Sequence, residues 1–184
     1  MDIPVDIGRL KIGTVYKYQG ELHWEEIELD VGKCPVVAPI KVHIQYRLDR
    51  DGLKVLGSVQ TVLLCPCSRC LETFKLPIKG HIEAIYRPFE VLKEQKNVEE
   101  KLEKLENVVY YSTPVVDLAE RVLEAIVVEV PQKLLCKPDC KGLCQYCGKN
   151  LNEDPDHKCT EKSGIVDPRW AVLQEFKSRI AEGG

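Results

Sequence analysis

Ile40-Lys41-Val42-His43-Ile44-Gln45-Tyr46-Arg47-Leu48 alternates apolar and polar side chains along its whole length. A period of two marks a strand with one buried face and one wet face. The next four residues, Asp49-Arg50-Asp51-Gly52, are turn chemistry, with Gly52 free to take positive φ. Leu53 to Leu64 returns as a second strand, and Phe74, Leu76, Ile78, Ile82, Ala84 and Tyr86 mark a third. Pro77 inside that set predicts an edge position or a break, because proline cannot donate to a ladder. Residues 36–86 therefore read as antiparallel β. Residues 7–31 mix apolar and acidic positions less cleanly and are expected to add further strands.

Beyond the sheet the pattern changes. Residues 90–106 are polar and charge-rich, which predicts a charged linker or solvated helix that Val98, Leu102 and Leu105 could dock weakly. Val108 to Tyr111 reads as another strand. Asp117, with Glu120 three residues on, reads as a capping box opening a helix. Leu118, Val122, Leu123, Ile126, Val127 and Val130 give that helix a broad apolar face, and Pro131 ends it. A second helix is expected after Asp167-Pro168, with Trp170, Leu173, Phe176 and Ile180 as its docking face.

Composition limits the function classes. The chain has 184 residues, 44% hydrophobic and 30% charged, enough for one domain with a core or one domain plus a small module. Its net charge of −3 excludes bulk electrostatic coating of nucleic acid and leaves room only for a local basic patch. No apolar run approaches the roughly 18 residues of a membrane helix, and the start lacks the layout of a signal peptide. A cytoplasmic location without membrane contact is expected. Nine cysteines are then an anomaly. In a reducing compartment clustered cysteines point to metal or redox chemistry rather than structural disulfides. Lys and Glu far outnumber Asn and Gln, a mildly thermophile-like balance, so spacing has to decide.

The spacing favours zinc. Cys144-Gln145-Tyr146-Cys147-Gly148 can aim two sulfurs at one ion from a tight turn, and the glycines at 142 and 148 let the backbone curl. Cys67-Ser68-Arg69-Cys70 is a second pair of the same spacing. Zinc takes four ligands in a tetrahedron. Cys67, Cys70, Cys136 and Cys140 can make one site, and Cys144, Cys147, His157 and Cys159 a second. A rival partition gathers Cys136, Cys140, Cys144 and Cys147 on one ion but leaves Cys67, Cys70 and Cys159 without a role. Cys34 and Cys65 read as ordinary buried thiols. A redox pair at Cys67 and Cys70 would want a βαβ context, which is missing. His23-Trp24-Glu25 with Pro66-Cys67-Ser68-Arg69-Cys70 spells the pattern of zinc deaminases, but strands flank the cysteine pair where that enzyme class needs helices. No P-loop, H-E-x-x-H or G-x-S-x-G occurs, so no enzyme is expected. The residues near the cysteines lean basic. Arg69, Lys137, Lys141 and Lys149 could meet RNA phosphates and Tyr146 could stack on a base, or the lysines could simply balance thiolate charge.

Cys67-Ser-Arg-Cys70-Leu-Glu-Thr-Phe74, the capped helix closing at Pro131, Cys136-x-x-x-Cys140-Lys-Gly-Leu-Cys144-x-x-Cys147-Gly-x-x-Leu-Asn152 and Asp167-Pro-Arg-Trp170 resemble, in order, the YceD-like family of bacterial and plastid proteins. Many relatives end the cluster with Cys-x-Cys where this chain has His157-x-Cys159, and some lack the later knuckle. The resemblance implies a non-enzymatic zinc-binding factor in ribosome biogenesis, supporting synthesis, processing or stability of large-subunit ribosomal RNA. Its partner would be that RNA, its precursor or a pre-ribosomal protein, with no small-molecule substrate. The alternative is a zinc-stapled protein–protein adaptor without RNA contact; a deaminase-like enzyme or thiol redox switch stands third. The expected architecture is α+β: an antiparallel sheet, barrel-like if it closes, two main helices and a zinc-knuckle segment near the C-terminus. Its expected parts are a β region with the first cysteine pair (1–89), the charged linker or helix (90–107), a strand and capped helix packed on the sheet (108–135), and the zinc-knuckle segment with the final helix (136–184).

Overall fold

The three alternating segments become the three longest strands of an open sheet. The computed structural model describes residues 2–90 and 107–159. Among the described residues there are eight strands: β1 (Pro4–Asp6), β2 (Val15–Leu22), β3 (Glu26–Leu29), β4 (Gly32–Asp49), β5 (Gly52–Pro66), β6 (Thr73–Pro88), β7 (Val108–Tyr111) and β8 (Val115–Asp117). One main α-helix, α1 (Ala119–Val128), and a one-turn 3-10 helix at Ile7–Arg9 complete the described elements. The chain divides into two compact units, Met1–Pro138 and Asp139–Gly184. The sheet and helix belong to the first.

The six-stranded sheet runs β2-β4-β5-β6-β7, with β3 on the other half of β4; β1 and β8 form a separate pair. β4, β5 and β6 are a meander, because the turn at Gly52 and the turn at Cys67–Cys70 join neighbours directly. Its inner face carries Ile40, Val42, Ile44, Val55, Val59 and Leu63, each at most 1% exposed. Full burial of each such side chain contributes about 1.5–3 kcal/mol. β4 bulges around Ala38, where Pro39 cannot donate to the ladder. The buried Thr61 hydroxyl donates to the Ala38 carbonyl at 2.9 Å and so satisfies an oxygen the bulge displaces.

α1 lies on this inner face. A side chain at Gly80 of β6 would sit 2.4 Å from the Ala125 carbonyl oxygen, so glycine is what allows the helix backbone to approach the strand. Val122 and Ile126 fill the core, whereas Leu123 and Val127 of the expected apolar face are exposed.

Several expectations change. The sheet does not close into a barrel: its edge strands β2 and β7 do not pair with each other. It is also not purely antiparallel, since β7 pairs β6 in parallel, with Ile85 opposite Val108. Two main helices are not met among the described residues; the expected helix over 167–180 and most of the charged segment 90–106 lie outside them. Pro77 does not break β6. It pairs with Val62 on β5, and β7 reaches β6 only at Ile85–Pro88, so Pro77 lies on a stretch with one strand neighbour. Asp117 does accept from the Ala119 N–H at 2.9 Å, but its same oxygen also accepts from the Ile3 N–H at 2.8 Å. It therefore clamps β1 to the helix start rather than forming a box with Glu120. Among the described residues no helix is long and apolar enough to cross a membrane.

Candidate metal centres

The first cysteine turn is the β5–β6 hairpin loop. Pro66 and Thr73 are its last cross-strand pair. Inside it the Cys67 N–H donates to the Glu72 carbonyl and the Leu71 N–H to the Cys67 carbonyl, both at 2.9 Å. Leu71 takes φ 63°, the left-handed region that non-glycine residues rarely enter. Both sulfurs are thereby turned inward, with Cys67 and Cys70 buried. The Ser68 N–H donates to the Leu134 carbonyl at 2.7 Å. Leu134 is itself buried in the core, so the segment after α1 is anchored where Cys136 follows two residues on.

Cys70 Sγ lies 3.7 Å from Cys136 Sγ. Together with Cys67 and Cys140 these sulfurs form a group whose atoms all lie within 4.8 Å of one another. Burial pushes the Cys67 thiol up, but the backbone N–H groups of Cys70, Arg69 and Cys136 outweigh it and bring it down to about 6. The Asn152 side-chain amide donates to Cys140 Sγ at 3.3 Å, while its oxygen accepts from the Lys141 N–H at 2.9 Å.

The second turn repeats the first. The Cys144 N–H donates to the Lys149 carbonyl at 2.8 Å and the Gly148 N–H to the Cys144 carbonyl at 2.9 Å. Gly148 has φ 71°, and Leu143 and Asn150 close the loop as a bridge. The second group is Cys144, Cys147, His157 and Cys159, again within 4.8 Å. Cys147 Sγ lies 3.2 Å from His157 Nε2. The other ring nitrogen, Nδ1, is 3.9 Å from Asp154 Oδ2. The backbone N–H groups of Cys147 and Tyr146 lower the Cys144 thiol to about 6. Lys149 pairs with Asp154 at 2.7 Å, and that hydrogen bond holds the carboxyl below its usual range.

Both donor sets suit a tetrahedral ion. Zinc with Zn–S of about 2.3 Å separates its sulfurs by about 3.8 Å, close to the 3.7 Å between Cys70 and Cys136. A lowered thiol is a thiolate at neutral pH, the form a metal binds. The groups divide the cysteine run after Cys140; a cluster of Cys136, Cys140, Cys144 and Cys147 is not among them. His23, which the deaminase pattern would need as a ligand, joins neither group.

Of the candidate RNA contacts, Arg69, Lys137, Lys141 and Tyr146 are exposed, and Lys149 is exposed but paired with Asp154. Cys34 and Cys65 are buried in the sheet core. Burial and the neighbouring Cys34 push the Cys65 thiol up to about 12. Two contributors went unread in the sequence. Leu71 occupies the position that Gly148 holds in the other turn, and no residue-type signal marks it. Asn152 falls 12 residues from Cys140, and only its place in the knuckle motif hints at a contact.

A family model described as large ribosomal RNA subunit accumulation protein YceD matches residues 55–177. An uncharacterized protein of Mycobacterium tuberculosis is 27% identical over 180 residues, spanning 94% of this chain and 80% of its own length. The chloroplastic large ribosomal RNA subunit accumulation protein YCED homolog 1 of Arabidopsis thaliana is 24% identical over 203 residues, spanning 96% of this chain and 60% of its own. Its Zea mays namesake is 22% identical over 153 residues, 68% of this chain and 50% of its own. No solved structure matches the chain.

Proposed function

The chain belongs to the large ribosomal RNA subunit accumulation protein YceD family, and from that premise we propose that it is a non-enzymatic, zinc-stapled factor that binds large-subunit ribosomal RNA or its precursor. The observation that carries the reading is the extent of the family match: residues 55–177 include both cysteine groups. In this reading Cys67, Cys70, Cys136 and Cys140 hold one zinc ion, and Cys144, Cys147, His157 and Cys159 a second. Zinc would supply folding energy that short loops cannot obtain from core burial. The chain's own residues do the rest. Backbone N–H groups hold Cys67 in the first turn and Cys144 in the second as thiolates, and Asn152 steadies Cys140. The β region of residues 1–89 is the scaffold, the segment from 136 is the metal-bound part, and the site of action is the cytoplasm.

Elemental analysis of protein purified without added metal is expected to give up to two zinc ions per chain, with all thiols reduced. Crosslinking in cells is expected to recover large-subunit ribosomal RNA. Zinc below half an equivalent would sink the metal reading, and crosslinks only to proteins would sink the RNA reading. A protein–protein adaptor is the second reading, favoured by the apolar tips of the two turns: Leu71 is 67% exposed and Tyr146 50%.

A further inference from the structure

The wet face of the sheet is not a neutral lawn of polar groups. Strand register places Gln19, His43, Ser58 and His81 in one row across β2, β4, β5 and β6, and Glu21, Lys41, Gln60 and Lys79 in the next. Lys17, Gln45, Leu56 and Glu83 form the row on the other side. Lys75 continues the face toward the Cys67 turn, two residues beyond Thr73 where the strand begins. A shallow depression lined by Lys17, Gln19, His43, Gln45, Leu56 and Ser58 lies in the middle.

The charge on this face runs against that of the chain. Its acidic groups are Glu21, Glu83 and Asp49, and Asp49 is engaged by Arg47 at 2.8 Å and Lys54 at 3.4 Å. Among the described residues no ion pair engages Lys17, Lys41, Lys75 or Lys79. These four lysines are exposed on one face of a protein whose net charge is −3. Lys41 and Lys79 stand opposite the same residue, Gln60, one on each side, so their strands are two spacings or about 9.5 Å apart. Apart from the imidazoles of His43 and His81, which stand two strands apart, no aromatic side chain faces outward between Val15 and Glu21, Lys41 and Arg47, Lys54 and Leu64, or Lys75 and Arg87.

We propose that this face of β2-β4-β5-β6 is a docking surface for folded RNA, held through the phosphate backbone. The proposal rests on the RNA-binding reading above and adds a second contact surface to it. Lysines spread over a rigid sheet meet phosphates, while Ser58, Gln19, Gln45 and Gln60 offer neutral donors and acceptors suited to sugar hydroxyls. Two separated imidazoles with no outward Phe, Tyr or Trp beside them make no continuous stacking platform, so the face holds structured RNA rather than a run of splayed single-stranded bases. Such contacts position a protein without reading sequence.

The test uses the full zinc-loaded chain, a transcript of a large-subunit ribosomal RNA domain and a salt titration. Lys41→Glu with Lys79→Glu is expected to weaken binding at least about tenfold and to flatten the salt slope by about 1.8, the duplex value for two lost contacts. Glu21→Lys with Glu83→Lys is expected to tighten binding and steepen the slope. Both pairs are exposed, so the melting temperature serves as the folding control; the gain-of-binding pair remains decisive if the first variant misfolds. If wild type binds and neither pair changes affinity while Lys137→Glu with Lys141→Glu abolishes it, the sheet-face proposal is overturned and the RNA reading stands. If wild type binds no transcript at low salt, both fall. Equal competition by polyglutamate at matched charge would reassign the face to an acidic protein and overturn the RNA proposal.

Discussion

At Cys67 the cysteine turn is built into a long hairpin, with β5 and β6 paired up to Pro66 and Thr73, and both of its cysteines are buried. At Cys144 the same hydrogen-bond pattern stands on a single bridge between Leu143 and Asn150, and Cys147 is exposed. The fifth residue of each turn has nearly the same φ, 63° at Leu71 and 71° at Gly148. The difference shows what fixes a turn. Where two long strands dictate entry and exit, the backbone is over-determined and a leucine is held in a conformation that costs about 1–2 kcal/mol. Where one bridge is all there is, glycine removes the cost.

The largest expected effect breaks or keeps the asymmetry between these turns. Cys67→Ser removes a buried sulfur from a turn tied through Ser68 to the core residue Leu134. It is expected to lower the unfolding midpoint by about 10 °C, against less than about 5 °C for Cys147→Ser, taking about 2–4 °C per kcal/mol. The reverse ranking in parallel thermal melts would reject the division into a structural and a peripheral turn.

Swapping the fifth residues sharpens the same comparison at lower energy. Gly148→Leu is expected to cost about 1 kcal/mol, because the bridge cannot hold a side chain at positive φ. Leu71→Gly is expected to stabilise by up to about 1 kcal/mol, since the leucine is exposed and only its strain is lost. Denaturant titration decides it; a destabilised Leu71→Gly would mean that the leucine side chain makes a contact of its own.

The smallest effect is a rate order that leaves stability untouched. In native protein stripped of metal at pH 7.5, Cys144 and Cys147 are expected to alkylate first and Cys34 and Cys65 last. The outer pair is accessible, whereas the inner pair is buried and Cys65, with its thiol up near 12, stays protonated at that pH. Mass spectrometry of the labelled sites reads the order, and early labelling of Cys65 would contradict the buried sheet core.

The sheet was legible where its inner positions are aliphatic. Ile40, Val42 and Ile44 announce β4, and Gly52 announces its return. β2 was harder because its inward positions are Tyr16, Tyr18 and Gly20, which do not contrast with Lys17 and Gln19 on a hydropathy scale. Tyr16 and Tyr46 stack at 5.6 Å, a pairing that only the register reveals. The parallel pairing of β7 could not be read, because it depends on where a charged connection returns the chain and not on Val108–Tyr111 itself. The cysteine spacing pointed to two sets of four, but the left-handed leucine, the Asn152 contact and the row of lysines across Gln60 arise only once strands are in register. In the sequence Lys41 looked like any wet-face residue.

The β1–β8 pair sets an order on the chain's birth. Pro4 pairs with Asp117, and the Leu118 N–H donates back to the Ile3 carbonyl at 3.0 Å, so β1 has no partner until β8 and the start of the helix after it have been made. The β4-β5-β6 meander needs only neighbours and can assemble during that wait, whereas the N-terminal strand closes the longest loop in the first unit and pays its entropy last. During translation at roughly 5–20 residues per second, β1 stays unpaired for about 6–20 seconds while the strands of the separate six-stranded sheet are being made.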